Sequence, residues 1–68
     1  MDKQRLRKEI MDWRDMRVRM QYKVIELEEK EFWEPDTFSP DDKMWLDYYR
    51  DAIARIKAEE QMLRNQMR

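Results

Sequence analysis

Both prolines of this chain fall within one six-residue stretch, Pro35-Asp36-Thr37-Phe38-Ser39-Pro40, and the chain contains no glycine. Sharp reversals ordinarily use glycine or proline, so the segments on either side of this stretch are expected to run on as regular structure. Neither segment sustains the alternation of a strand, and in both the apolar residues recur at helical spacing. The expected fold is all-α: a coiled-coil-like antiparallel helical hairpin spanning residues 1–68 as one unit. Its first helix covers about 3–33, the turn 34–39 and the second helix about 40–66.

The ends of these helices carry chemical signals. Glu34 precedes a proline, whose ring disfavours the α conformation in its neighbour, so the first helix should stop there. Ser39 suits the N-cap of the second helix, with Pro40 at the first helical position and Asp41 and Asp42 in the first turn. There they complement unsatisfied amides and the positive end of the helix dipole.

Leu6, Ile10, Trp13, Met20, Val24 and Leu27 form one seam along the first helix, with Arg17 filling its gap. Met11, Val18, Ile25 and Phe32 repeat every seven residues as a second seam, with Tyr22 beside it, roughly a third of a turn away at ~100° per residue. Arg7, Arg14, Gln21 and Glu28 lie between the two seams, which favours two separate contacts over one broad face. In the second helix Leu46, Tyr49, Ile53, Ile56, Leu63 and Met67 form a seam interrupted at Glu60. Trp45, Tyr48, Ala52 and Met62 are expected to widen that face, and the helix to continue nearly to Arg68. A hairpin partner uses one seam of the first helix, so the other is left for a further contact. The predicted assembly is therefore a dimeric four-helix bundle.

A chain of 68 residues rarely buries enough apolar surface to be stable without a further aid. The absence of cysteine excludes disulfides, and the absence of histidine weighs against a zinc site. Self-association or docking on a larger protein is left as the expected route. Charged residues make up 46% of the chain, yet the net charge is −1. The 41% of hydrophobic residues are placed periodically, which argues against disorder at that charge density. Met1-Asp2-Lys3-Gln4-Arg5 opens no apolar run, so no signal peptide is expected, and no apolar run is long enough to span a membrane. The lack of cysteine fits a reducing compartment, and the expected location is cytoplasmic.

The charges are segregated along the chain. Residues 1–23 carry eight Lys/Arg against four Asp/Glu, residues 24–43 two against eight, and residues 44–68 five against four. The open end of the hairpin is then basic and the looped end acidic. On the first helix this polarity opposes the helix dipole, each exposed misplacement costing ~0.3–1 kcal/mol. An antiparallel homodimer would offset it by setting basic ends beside acidic ends.

Catalysis is not expected. With no His or Cys, and only Ser39 and Thr37 as aliphatic hydroxyls, no nucleophile–base pair can be assembled. No glycine-rich phosphate loop is present, the acidic break lacks the ligand spacing of a calcium loop, and no cofactor is expected. The leading expectation is a non-enzymatic protein-interaction module, a small regulator, inhibitor or adaptor. A regulator carried by a phage or other mobile element would suit the size. The candidate contact residues are Met11, Val18, Tyr22, Ile25, Phe32, Trp33 and Phe38. Phe32, Trp33, Phe38 and Trp45 crowd around the break. At least two should plug the closed end, with Trp45 in the core and Phe38 free to serve as an anchor.

The alternative is nucleic-acid binding at the basic end through Lys3, Arg5, Arg7, Lys8 and Arg14, a cluster diluted by Glu9, Asp12 and Asp15. In shape alone the hairpin is comparable to Rop, whose dimer is an up-down four-helix bundle. The two share no sequence motif, so the comparison favours RNA binding only slightly. A structural subunit of a larger assembly is a third reading, and a membrane surface is not expected as a partner.

Overall fold

The computed structural model describes residues 2–67, which form two helices packed against each other, α1 (Lys3–Trp33) and α2 (Pro40–Gln66). No strand occurs among the described residues, and Arg68 lies outside them. The hairpin is a rod with extents of 52 × 14 × 14 Å. Three ion pairs between the helices mark their antiparallel register. Arg17 meets Glu60 in the open half, Glu28 meets Arg50 in the looped half, and Lys30 meets Asp42 beside the turn.

Local chemistry explains where the helices stop. At the start of α1 the Asp2 carboxylate accepts the Gln4 N–H at 3.0 Å, although no acidic residue follows in the first turn. At its end Glu34 leaves the helical region (φ −131°, ψ 58°), while its N–H still donates to the Lys30 carbonyl at 2.8 Å. Two overlapping turns follow, with Thr37 N–H donating to the Glu34 carbonyl and Phe38 N–H to the Pro35 carbonyl. No described residue has a positive φ. A chain without glycine thus reverses over several residues in ordinary backbone conformations rather than through one tight left-handed turn.

A reciprocal capping box then starts α2. Ser39 Oγ accepts the Asp42 N–H at 3.1 Å, and Asp42 Oδ2 accepts the Ser39 N–H at 3.0 Å. The same Asp42 oxygen accepts from Lys30 Nζ at 2.9 Å. One carboxylate therefore caps α2 and ties it to the last turn of α1.

Leu6, Ile10, Trp13, Met20, Val24 and Leu27 all face α2 and are buried or half-buried. Leu46 and Ile56 are buried on the facing seam, with Tyr49, Ile53 and Leu63 half-buried around them. The polar interruptions of the two seams meet each other. Arg17 Nε donates to Glu60 Oε2 at 2.7 Å and Arg17 Nη2 to Oε1 at 3.4 Å, with Glu60 itself buried. Two helices enclose only the strip between them, so positions about a quarter of a turn or more from a seam stay open. This corrects the expected width of the α2 face. Trp45, Tyr48 and Met62 are exposed, Trp45 at 49%, while Ala52 is half-buried. The turn behaves in the opposite sense, for Phe38 is half-buried against the hairpin.

Candidate functional site

The outward face of α1 carries an uncovered row of apolar side chains. Met11, Val18, Ile25 and Phe32 line up along it at seven-residue intervals, away from the seam that meets α2. Val18 is half-buried by its neighbours, whereas exposure of the other three runs from 50% at Ile25 to 73% at Phe32. Tyr22 stands beside this stripe, also exposed. Trp33 is 75% exposed and lies one residue round the helix from Phe32, the two rings meeting edge to face at 4.8 Å. Of the seven residues expected to make contacts, four thus form one line and Tyr22 flanks it. Trp33 marks its looped end, and Phe38 lies apart in the turn.

The stripe is indented at both ends. Met11, Arg14, Asp15, Val18 and Arg19 line a shallow cleft of about 370 Å³, and Ile25, Glu28, Glu29, Phe32 and Trp33 line another of about 260 Å³. The first is rimmed by two arginines and one aspartate, the second by two glutamates.

A second apolar surface runs along one side of the hairpin, between the helices. Trp13, Met16, Met20, Tyr48, Ala52 and Ile56 line a cleft of about 350 Å³, with Asp51, Arg55 and Glu59 at its edge. Trp45, Tyr48 and Tyr49 form a contiguous aromatic cluster on α2, with ring centroids 5.6–5.9 Å apart. From the sequence Trp45, Tyr48 and Met62 are expected to widen the core face, and their exposure is what creates this surface. The signal was present, since Trp45 and Ala52 share one seven-residue row and Tyr48, Arg55 and Met62 another, both on one side of the Leu46 seam.

Lys3, Arg5, Arg7, Lys8 and Arg14 are all exposed but point around α1 rather than along one face. Arg5 also lies 4.0 Å from Glu9. The antiparallel fold adds Lys57 and Arg64 of α2 to this end, where they line a polar cleft of about 310 Å³ with Arg17, Glu60 and Gln61. Among the described residues no group of three or more acidic side chains is placed to hold a metal ion, and no helix is long and apolar enough to cross a membrane.

Among the described residues one titratable group is distinctly perturbed. The Asp42 carboxyl is held below the ordinary aspartate range, first by the hydrogen bond from Lys30 and then by that from the Ser39 N–H. Its role is to fasten the turn.

The hairpin exposes 5780 Å². A compact monomer of its 8.7 kDa mass is expected to expose roughly 4700 Å². The excess of roughly 1000 Å² is comparable to the ~800 Å² that one partner contributes to a standard protein interface. No protein-family profile, curated protein or solved structure matches the chain.

Proposed function

We propose that this chain is a non-enzymatic protein-interaction module, a helical hairpin that uses the outward stripe of α1 to self-associate into a dimeric four-helix assembly. Through its remaining apolar surface it docks on a larger protein as a regulator, inhibitor or adaptor. The observation that carries this reading is the stripe itself, Met11, Val18, Ile25 and Phe32 with Tyr22, on a molecule that exposes more surface than its mass accounts for. The chain has no histidine or cysteine from which to build a nucleophile–base pair. Its lack of cysteine suits a reducing, cytoplasmic setting.

The test is sedimentation equilibrium at micromolar concentration. The wild-type chain is expected to be heavier than 8.7 kDa. Val18→Glu combined with Ile25→Glu is expected to return it to a single-chain mass with helical content largely kept. A wild-type chain of single mass whose melting temperature is independent of concentration would refute self-association.

Nucleic-acid binding at the open end is the second reading, favoured by the addition of Lys57 and Arg64 of α2 to the basic residues of that half. It ranks lower because Glu9, Asp12 and Asp15 are interleaved and Glu60 neutralises Arg17. Phosphate contacts would give binding that weakens steeply with salt and is lost on replacing Arg5, Arg7 and Lys8 by Gln. A specific submicromolar RNA complex at physiological salt would reverse the ranking.

A further inference from the structure

We propose that the occupant of the α1 stripe is a second copy of this chain, laid antiparallel with its twofold axis beside Gln21 and Tyr22. This rests on the self-association reading above and adds the orientation and the register. The two indentations of the stripe are counterparts under reversal of the helix. Met11 and Val18 frame one, and Phe32 and Ile25 frame the other. An antiparallel copy centred between Val18 and Ile25 sets Met11 against Phe32 and Val18 against Ile25, so that each indentation receives the side chains of the other.

Charge selects this orientation over the parallel one. The Met11–Val18 indentation is rimmed by Arg14 and Arg19, the Ile25–Phe32 indentation by Glu28 and Glu29. Antiparallel pairing brings Arg14 to Glu28 and Glu29 of the second copy, twice by symmetry. Asp15 opposes these contacts but is flanked by the two arginines. Parallel pairing would set arginine against arginine and glutamate against glutamate, a repulsive arrangement. Glu28 already lies 3.5 Å from Arg50, and its carboxylate can accept from both cations.

The flank of α2 nearest the stripe decides what the α2 helices do. Lys43, Arg50, Lys57 and Arg64 repeat there every seven residues, and the Arg50–Glu28 contact places this row on the stripe side. Two such rows, with Lys43 and Arg50 already paired to Asp47 and Glu28, offer each other no complementary charge whichever way they run. The assembly is therefore centred on the α1–α1 pair, with the α2 helices outside and the Trp13–Tyr48 cleft of each copy open.

The absence of cysteine makes single-cysteine variants uniquely addressable. Purified Gln21→Cys, Arg14→Cys and Glu28→Cys chains would be treated with a short bis-maleimide after circular dichroism has established that each is helical. Tyr22→Cys serves as a second variant at the axis. The expected pattern is covalent dimer from Gln21→Cys alone and from Arg14→Cys mixed with Glu28→Cys, with little from either of the latter alone. Efficient linking of Arg14→Cys to itself would overturn the orientation. So would a two-chain mass with no linking at any of these sites, and in both cases the interaction-module reading would stand. A single-chain mass for the wild type would remove the self-association on which the inference rests.

Discussion

Replacing Arg17 by Met tests how the two helices are held in register. Glu60 is the one charged residue buried among the described residues, its side chain 4% exposed, and Arg17 supplies both hydrogen bonds drawn to its carboxylate from across the hairpin. Removing the guanidinium leaves a buried carboxylate without its partner, a change expected to destabilise the hairpin by about 3 kcal/mol. Removing the carboxylate is milder. The Arg17 side chain is 21% exposed, so in Glu60→Leu the guanidinium can turn to water, and the expected loss is about 1–2 kcal/mol.

The double variant Arg17→Met/Glu60→Leu replaces the pair by apolar side chains of similar length. It is expected to lie within about 1 kcal/mol of wild type, or above it. Urea denaturation followed by circular dichroism, at one protein concentration for all four chains, gives the coupling directly. Equal small losses in the two single variants, or a double variant as unstable as the sum of the singles, would refute the argument that burial of Glu60 sets the asymmetry.

The capping carboxylate and the contrast between buried and exposed side chains give further tests. Asp42 has a carboxyl held below its ordinary value of 3.8, so its stabilising effect is complete above that value and is lost as the pH falls through the lower, folded-state value. Acid titration of stability should therefore show a loss setting in near pH 4 and continuing below it, and Asp42→Asn should flatten that part of the curve while lowering stability at neutral pH. Leu46 is fully buried and Trp33 75% exposed. Leu46→Ala should lower stability by about 3 kcal/mol, whereas Trp33→Ala should change it by less than about 1 kcal/mol. A loss of ~2 kcal/mol or more in partner binding for Trp33→Ala would then mark it as an anchor.

The helical hairpin was legible in the residues because its signals are local. The clash of Pro35 with its predecessor, the capping propensity of Ser39 and the seven-residue spacing of Met11, Val18, Ile25 and Phe32 act over one or two turns of backbone. The two polar gaps at Arg17 and Glu60 were also visible, each as a break in a seam. Their pairing was not, since the residues are 43 apart in sequence and meet only through the packing of the helices. Lys30 and Asp42 are a similar case, joined across the turn at 2.9 Å.

Burial of the aromatic residues was the least readable feature. A seven-residue repeat states which side chains share a face, but how wide a face is covered depends on what packs against it. One helix covers a narrow strip, so Trp45 and Tyr48 remain exposed beside a buried Leu46, and Phe38, outside any repeat, folds partly inward. Periodicity along the chain thus determined the two helices and their apolar rows. Only the packing of α1 on α2 decided which rows became core and which stayed open, because burial is a property of the volume between elements rather than of either element alone.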